Sequence, residues 1–412
     1  MFNFSEHDRR GAETFNRNFA GYLAREGWTA SQIRQYVWRS HTQDELKQLG
    51  SDRDTDFARL HISDSEVQAH MDAKPSPALV AGPDFYRQQK TVLVLVPGFT
   101  HETLRYLSFH EEMHRRGTQH TVVMLQAGQG GNTAETVHSE GDGLRVVYAK
   151  YPRSNAKSET IAEPFFNLLH GSSTLRRWVE QEGCKLFFIG YSYGCPLSLE
   201  LFANLNSGRF ADEFILKNTR GFLGLCGAIG GSYLADDLMR PTSKLLYVPK
   251  LVDFCRRHPF IGKLLGLPTK QFQDDMEGGV VSLTRAERAR RMQDYAPRLP
   301  AHLMYFSISA IMPLADYRRR WWQLNFDDWT MWVQAKISDP ISVYNDGQVV
   351  AADTVVPRPD HIPASQFVHL GAVRAHHWAV SYKTFNLGFN RFPRRAFYRA
   401  LIQTVHEMSQ GA

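Results

Sequence analysis

The chain has few cysteines, no long apolar segment and no long block of charge of one sign. Four cysteines in 412 residues do not make the dense disulfide framework of small secreted domains, and they lack the close paired spacing of a zinc site. No stretch approaches the roughly 18–20 apolar residues of a membrane span. Charges interrupt every short apolar run at the N-terminus, unlike in a secretory signal. These absences predict a cytoplasmic protein with reduced thiols.

Charge of neither sign dominates the chain. The net charge of +6 comes from 48 basic and 42 acidic residues, and 43% of the residues are hydrophobic, as in an ordinary globular protein. So mild an excess helps solubility and attraction to anionic surfaces, but it does not argue for nucleic acid. We therefore expect no nucleic-acid partner. Contact with an anionic membrane surface is an alternative that we do not favour.

The first 75 residues have the pattern of a polar, helical N-terminal extension. Thr29 and Thr42 are each followed three residues later by Gln or Glu, the capping-box signature of a helix start. Two short capped helices could form a helix-turn-helix; the interpretation we favour is an extension, residues 1–75, that packs on the main body. A segment richer in Pro and Gly, 74–83, is predicted to be a linker.

From about residue 85 to residue 412, short apolar runs alternate with helical stretches. A continuous β-branched and aliphatic run is typical of a strand buried on both faces, and strands that alternate with helices form parallel sheets. We therefore predict an α/β fold with a mostly parallel sheet flanked by helices over 85–412. The apolar runs are 91–96, 120–125, 185–189, 221–226 and 303–308.

The interval 233–300, called the insertion below, breaks this alternation. Its pattern is helical and basic, with apolar residues such as Phe254, Leu264 and Leu265. Its position after a core strand predicts a helical cap or lid over a site. The alternative is a helical subdomain away from any site. The basic and aromatic run 317–322 is a candidate for the rim of the same site.

Gly190-Tyr-Ser-Tyr-Gly194 matches the motif G-x-S-x-G. It lies between a predicted strand, 185–189, and a helical run, 196–203. This strand–turn–helix context is what a nucleophile elbow requires, because the sharp turn exposes the serine hydroxyl at the N-terminus of a helix. We predict that Ser192 is a nucleophile. The alternative is a serine with a structural role in a turn.

A serine hydroxyl needs a base to take its proton, and in such folds an acid and then a histidine follow the serine along the chain. Asp346 lies in a turn rich in Asn and Gly, and His377 follows the predicted last strand, 366–371. We predict that they are the acid and the base. The rivals that stay open are Asp316 for the acid and His376 and His369 for the base.

The negative charge that develops on a substrate oxygen needs two donors. One is the backbone N–H of the residue after the nucleophile, Tyr193. The other is expected from the loop after the first core strand, 97–100, and we choose the N–H of Phe99. Both assignments rest on position, because the donors are backbone groups.

Five short motifs between residues 90 and 410 resemble those of the α/β-hydrolase lipases and esterases. Asp346 matches the family's acid in its Asp-Gly-x-Val turn, and His377 matches its histidine before an aromatic residue. Two positions depart from the family: Pro97-Gly98 replaces the common His-Gly, and His376 replaces a frequent Asp. The matching motifs are Val96-Pro-Gly-Phe99, Gly190-Tyr-Ser-Tyr-Gly194, Gly227-Ala-Ile-Gly-Gly-Ser232 with Leu234-Ala235, Asn345-Asp-Gly-Gln-Val349 and His376-His377-Trp378.

The resemblance implies an α/β-hydrolase fold and a serine hydrolase with a Ser-His-Asp triad. The expected reaction is hydrolysis of a carboxylic ester of a small hydrophobic or acyl substrate through an acyl-enzyme, with no cofactor and no metal. Thioester hydrolysis and acyl transfer by the same triad are alternatives. A hydrolase fold that serves only for binding is a third.

Overall fold

The computed structural model describes most of the chain. The predicted linker, 74–83, lies outside the described residues, as does the segment 259–269 of the insertion. The described ranges are 4–51, 57–73, 90–99, 120–128, 132–141, 143–151, 154–212, 214–243, 248–258, 270–319, 326–381 and 392–410.

Within these ranges, eight strands form one sheet in the order β3-β2-β4-β1-β5-β6-β7-β8. All neighbours are parallel except β2 and β3, which pair antiparallel at one edge. The strands are β1 (Thr91–Val96), β2 (Thr121–Ala127), β3 (Thr133–Ser139), β4 (Arg145–Lys150), β5 (Lys185–Tyr191), β6 (Thr219–Leu225), β7 (Met304–Ala310) and β8 (Phe367–Val373).

The predicted mostly parallel α/β sheet is present, and each predicted apolar run coincides with a strand to within a few residues. β8 matches the predicted last strand, 366–371. The two remaining strands, β3 and β4, were not predicted. β3 has a mixed sequence, Thr-Ala-Glu-Thr-Val-His-Ser, because it is a half-exposed edge strand. β4 is short and begins and ends with a basic residue, so its buried centre is too brief to indicate a strand.

Helices cover both faces of the sheet. They are α1 (Phe4–Arg25), α2 (Ala30–Ile33), α3 (Gln43–Ser51), α4 (Asp64–Asp72), α5 (Ser158–His170), α6 (Ser173–Arg176), α7 (Gly194–Asn206), α8 (Tyr233–Leu238), α9 (Val248–Arg257), α10 (Lys270–Ser282), α11 (Arg285–Tyr295), α12 (Leu314–Arg319), α13 (Phe326–Ser338), α14 (His377–Ser381) and α15 (Arg394–Gln410). None of these described helices has the length and apolar character needed to cross a membrane.

Successive strand residues enter different cores, because side chains alternate between the two faces of a strand. Leu93 packs in the core that contains α1 and α15, whereas Val92 and Val94 pack in the core that contains α5 and α7. Both faces are therefore buried. This is why the strand sequences are continuously apolar instead of alternating.

The N-terminal extension packs on the strand β8 and the helix α15. Both predicted capping boxes are present: Gln32 and Glu45 each bond the backbone N–H of their capping threonine. Phe15 and Phe19 of α1 pack against Phe397 of α15. These contacts favour an extension that belongs to the main body over a separate helix-turn-helix.

A buried carboxylate, Asp8, joins the extension to the sheet. Its oxygens accept the backbone N–H groups of Gln43 and His369, each at 2.9 Å, and pair with Arg358 at 2.9 Å. Burial raises the pKa of Asp8 above its usual value, whereas these donors act in the opposite direction. The carboxylate thus accepts hydrogen bonds from one N–H of α3, from one N–H of β8 and from the guanidinium of Arg358.

Replacing Asp8 with Ala should destabilise the fold by about 3 kcal/mol or more, because two buried N–H groups and Arg358 lose their acceptor. Chemical denaturation would measure the change. Asp44→Ala is the matched control: Asp44 also faces Arg358, but at 3.8 Å and with 56% of its side chain exposed. That change should cost less than about 0.5 kcal/mol. Equal losses in the two variants would contradict the proposed anchor.

Candidate active site

Ser192 lies in a tight turn between β5, which ends at Tyr191, and α7, which begins at Gly194. Its φ of 52° is in the left-handed region, which residues with a Cβ rarely adopt. The backbone holds this conformation: the Ser192 N–H donates to Leu225 O at 3.1 Å, and Ser192 O accepts the N–H of Ala228 at 3.1 Å. The geometry is that of a strained nucleophile elbow.

The two glycines of the motif leave room for this turn. A Cβ on Gly194 would overlap the carbonyl oxygen of Val96 at the end of β1, and one on Gly190 would lie 2.9 Å from Cys195 Cα. The loop after β1 also passes close to the serine, since a Cβ on Gly98 would be 3.0 Å from Ser192 Cβ. Gly at these positions is therefore required by close backbone packing.

His377 is bound to Asp346 by two contacts. Its Nδ1 lies 2.6 Å from Asp346 Oδ2, and its backbone N–H donates to Asp346 O at 2.8 Å. Both side chains are fully buried. A carboxylate only accepts hydrogen bonds, so in the neutral imidazole this contact places the proton on Nδ1 and the lone pair on Nε2. No described residue hydrogen-bonds to this buried Nε2.

The turn around Asp346 fixes its carboxylate. Oδ1 accepts the backbone N–H groups of Gln348 and Val349 at 2.9 and 2.8 Å, which leaves Oδ2 for the histidine. Gly347 has a φ of 99°, which suits glycine alone, and its N–H donates to Asn345 Oδ1. The Asn-Asp-Gly sequence is therefore explained by the turn itself.

Tyr191 connects this pair to the serine. Its ring packs on the His377 ring with centroids 5.0 Å apart, and its hydroxyl donates to His377 O at 3.0 Å. Because Tyr191 immediately precedes Ser192, the histidine is held beside the elbow. The sequence analysis did not identify this residue, since a variable position of the motif carries no signal of its own.

The rival residues have other partners. Asp316 forms a two-point ion pair with Arg374, at 2.6 and 2.8 Å. His376 uses both ring nitrogens: Nδ1 accepts the N–H of Ala379, and Nε2 lies 2.9 Å from Asp328. Each of these two side chains is therefore held by a partner other than Ser192, Asp346 and His377.

His369, the third rival, lies in the middle of β8. Its Nδ1 is 3.2 Å from Ser307 Oγ, and its ring faces His41 of the N-terminal extension. Burial lowers the pKa of His369 well below its usual value, which keeps this imidazole neutral. The residue belongs to the contact between the sheet and the extension.

Two residues chosen as oxyanion donors lie next to each other. The rings of Phe99 and Tyr193 make an edge contact with centroids 6.0 Å apart. Among the described residues, no acceptor takes the backbone N–H of Tyr193 or of Phe99. The two donors are thus on adjacent backbone segments beside Ser192. Thr100, the last residue of the predicted loop, lies outside the described residues.

Two thiols lie beside the elbow, and both are buried. Burial raises the pKa of Cys195 and of Cys226, and for Cys226 the negative charge of Asp346 acts in the same direction. Both therefore stay neutral near pH 7 and are weak nucleophiles, because the thiolate is the reactive form.

The helices α8, α9 and α10 of the insertion contact Phe99 in the loop after β1. Phe99 packs with Ala235, Val248 and Val280, and a Cβ on Gly279 would lie 2.6 Å from Phe99 Cε2. The insertion is also fixed to α7, since the buried Arg288 of α11 pairs with Glu200 at 2.7 Å. The residues Leu264 and Leu265 lie outside the described residues, as does the second half of the run 317–322.

No protein-family model matches the chain, and no curated protein matches it. A metagenomic carboxyl esterase of known structure is similar, with a TM-score of 0.51 and 20% identity over 77% of this chain and 76% of the esterase. The mature Bacillus licheniformis lipase has a TM-score of 0.38 and 14% identity over 79% of this chain and 94% of the lipase. Together with the sheet order, the first likeness confirms the predicted α/β-hydrolase fold. It shows the fold alone.

The positive φ of Ser192 predicts an unusual order of stabilities. Ser192→Gly should be more stable than Ser192→Ala by about 1 kcal/mol, because only Gly adopts this conformation without a Cβ penalty. Chemical denaturation of both variants measures the difference. At Ser198, inside α7, the same pair of replacements should show the opposite order, since Gly in a helix costs about 1 kcal/mol. Equal stabilities of Ser192→Ala and Ser192→Gly would exclude backbone strain at the elbow.

Proposed function

We propose that the chain is a serine hydrolase that cleaves carboxylic esters, with Ser192 as nucleophile, His377 as general base and Asp346 as the acid of the triad. The observation that carries this proposal is the buried 2.6 Å contact between Asp346 and His377 Nδ1. It leaves the lone pair of Nε2 free on a ring that packs against Tyr191, next to a serine in a strained elbow.

The reaction follows from these positions. Ser192 Oγ attacks the acyl carbon while His377 Nε2 takes the hydroxyl proton, and a tetrahedral oxyanion forms. The bond to the alcohol oxygen then breaks, the alcohol leaves with the proton from His377, and the acyl group stays on Ser192. Water that loses a proton to His377 attacks the acyl carbon, the bond between that carbon and Ser192 Oγ breaks, and His377 returns the proton to Ser192 as the carboxylic acid leaves. Asp346 holds the tautomer and stabilises the imidazolium.

The backbone N–H groups of Tyr193 and Phe99 are the proposed donors to the oxyanion. Such preorganised donors stabilise the charge where it develops, and the loss of one typically costs about 10²–10³ in rate. The contact between the two rings supports this assignment, because it ties both backbone segments to one position.

We further propose that the insertion, 233–300, covers the site and supplies part of an acyl pocket. The contacts of Phe99 with Val280 and Gly279 support this placement. A cover of apolar side chains favours a small-molecule ester with a hydrophobic acyl group. Thioester hydrolysis and acyl transfer use the same triad, and product ratios with added thiols or alcohols would separate them from ester hydrolysis.

The cytoplasmic location stays a prediction, supported by the three free, buried thiols of Cys184, Cys195 and Cys226. Cell fractionation tests it. Contact with a membrane surface stays an alternative that we do not favour; sedimentation with anionic vesicles would detect it.

A fluorophosphonate probe should label Ser192 covalently, and Ser192→Ala should prevent both labelling and hydrolysis of an activated ester. The expected loss of rate is on the order of 10⁴ or more, because the triad acts as a unit. Labelling is read by mass spectrometry of the peptide. A probe that leaves Ser192 unmodified in the folded chain would favour the binding-only alternative.

Paired variants distinguish the proposed acid and base from their rival residues. Asp346→Asn and His377→Ala should each lower kcat/KM by about 10³ or more, whereas Asp316→Asn and His376→Ala should stay within about tenfold of the original rate per folded molecule. Circular dichroism verifies folding of each variant. The acid assignment is wrong if Asp316→Asn loses as much activity as Asp346→Asn.

Neighbouring glycines of α10 test the role of the insertion. Gly279→Ala places a Cβ onto Asn155 O and Phe99, so we expect kcat/KM for esters to fall about tenfold or more. Gly278→Ala is the matched control, because its Cβ meets only the flexible side chain of Lys157. Activity should then be unchanged. Similar activities of the two variants would contradict a functional contact between the insertion and the loop after β1.

A further inference from the structure

A cavity lies between the sheet and α15, towards the amino ends of the strands. The catalytic serine, in contrast, follows the carboxyl end of β5. The cavity has a volume of about 70 Å³ and is open to solvent. We call it the amino-end pocket; its lining residues are Thr91, Leu93, Leu144, Phe187, Ile189, Arg220, Leu223, Ile402, Val405, His406 and Ser409.

The walls of the amino-end pocket are apolar. Leu93, Phe187 and Leu223 line it from the sheet, and Ile402 and Val405 line it from α15. The strand residues and Val405 are buried in the core on this side of the sheet. A cavity lined in this way gains free energy when a hydrocarbon chain replaces water.

Arg220 gives the pocket a positive charge through a β-bulge. Between β5 and β6 the register moves from Leu186 opposite Thr219 to Phe187 opposite Gly221, so Arg220 is an extra, unpaired residue. Without the bulge, alternation would place Arg220 on the same face as Phe222, which packs in the other core. The bulge re-aims its side chain to the pocket.

The charge of Arg220 is not neutralised by a neighbouring acid. Arg220 is exposed, and no described carboxylate forms an ion pair with it. His406 lies on the same side of the pocket, where burial and the charge of Arg220 lower its pKa. The imidazole is therefore neutral near pH 7, and the guanidinium is the charge that a ligand meets.

We propose that the amino-end pocket binds a free aliphatic monocarboxylate, with the hydrocarbon chain between the sheet and α15 and the carboxylate on Arg220. A planar guanidinium matches a carboxylate with two parallel hydrogen bonds. The apolar walls select the chain, and the single cation selects one negative charge. This site is separate from Ser192, and the inference does not depend on the proposed esterase activity.

Photolabelling with a decanoic acid that carries a diazirine near its methyl end tests the pocket. The full-length Ser192→Ala chain is used, so that no acyl transfer to the catalytic serine occurs. We expect label on the segment 402–409 of α15, and we expect excess decanoate to suppress it. Decanol should compete about tenfold less well, since it lacks the charge. Label that is confined to the loops around residue 192 would overturn the proposal, as would equal competition by decanol.

Two variants and one control complete the experiment. Arg220→Gln should reduce labelling of 402–409 about tenfold or more, whereas Arg209→Gln, which removes another exposed arginine, should leave it unchanged. Ile402→Trp, which fills the pocket, should also suppress the label. Arg220 is exposed, so its replacement does not threaten folding, and a thermal melt verifies this. Undiminished labelling of the folded Arg220→Gln chain would overturn the assignment.

Discussion

The end of the molecule that carries Ser192 depends on one close approach, that of the β5–α7 turn to the end of β1. Gly194 packs so tightly against Val96 that no side chain fits between them. This contact requires β1 and β5 to be neighbours, as they are in the sheet. It also sets Ser192 beside the loop that carries Phe99, so that the proposed nucleophile and the proposed oxyanion donors share one rigid support. Exact spacing here comes from backbone packing and not from flexible side chains.

Much of the sheet and the candidate site could be predicted from the sequence because their signals are local. The run 91–96 is apolar throughout, since both of its faces are buried, and this pattern alone indicates a central strand. The turn at Asp346 is equally local: Asn, Asp and Gly hydrogen-bond within the turn or adopt its positive φ. The positions of Ser192 and His377 follow from chain order in a fold of this type.

Other features could not be predicted because they depend on contacts distant in sequence. Asp316 and Asp346 both follow late strands, and only the position of Arg374 shows that Asp316 is an ion-pair partner. The contact that distinguishes His376 from His377 is made with Asp328, which lies on another helix, α13. The bulge at Arg220 has no sequence signal either, since a register shift belongs to a pair of strands and not to one of them.

The strand β8 lies at one end of the sheet, where unpaired backbone groups would offer a template to another chain. The N-terminal extension satisfies several of these groups: Asp8 accepts the N–H of His369, Tyr36 O accepts that of Arg374, and Val37 forms a bridge with Val373. The opposite strand, β3, is protected by its polar sequence instead. The extension therefore covers the exposed edge of β8. A chain without it would present an open β-edge prone to intermolecular pairing and aggregation.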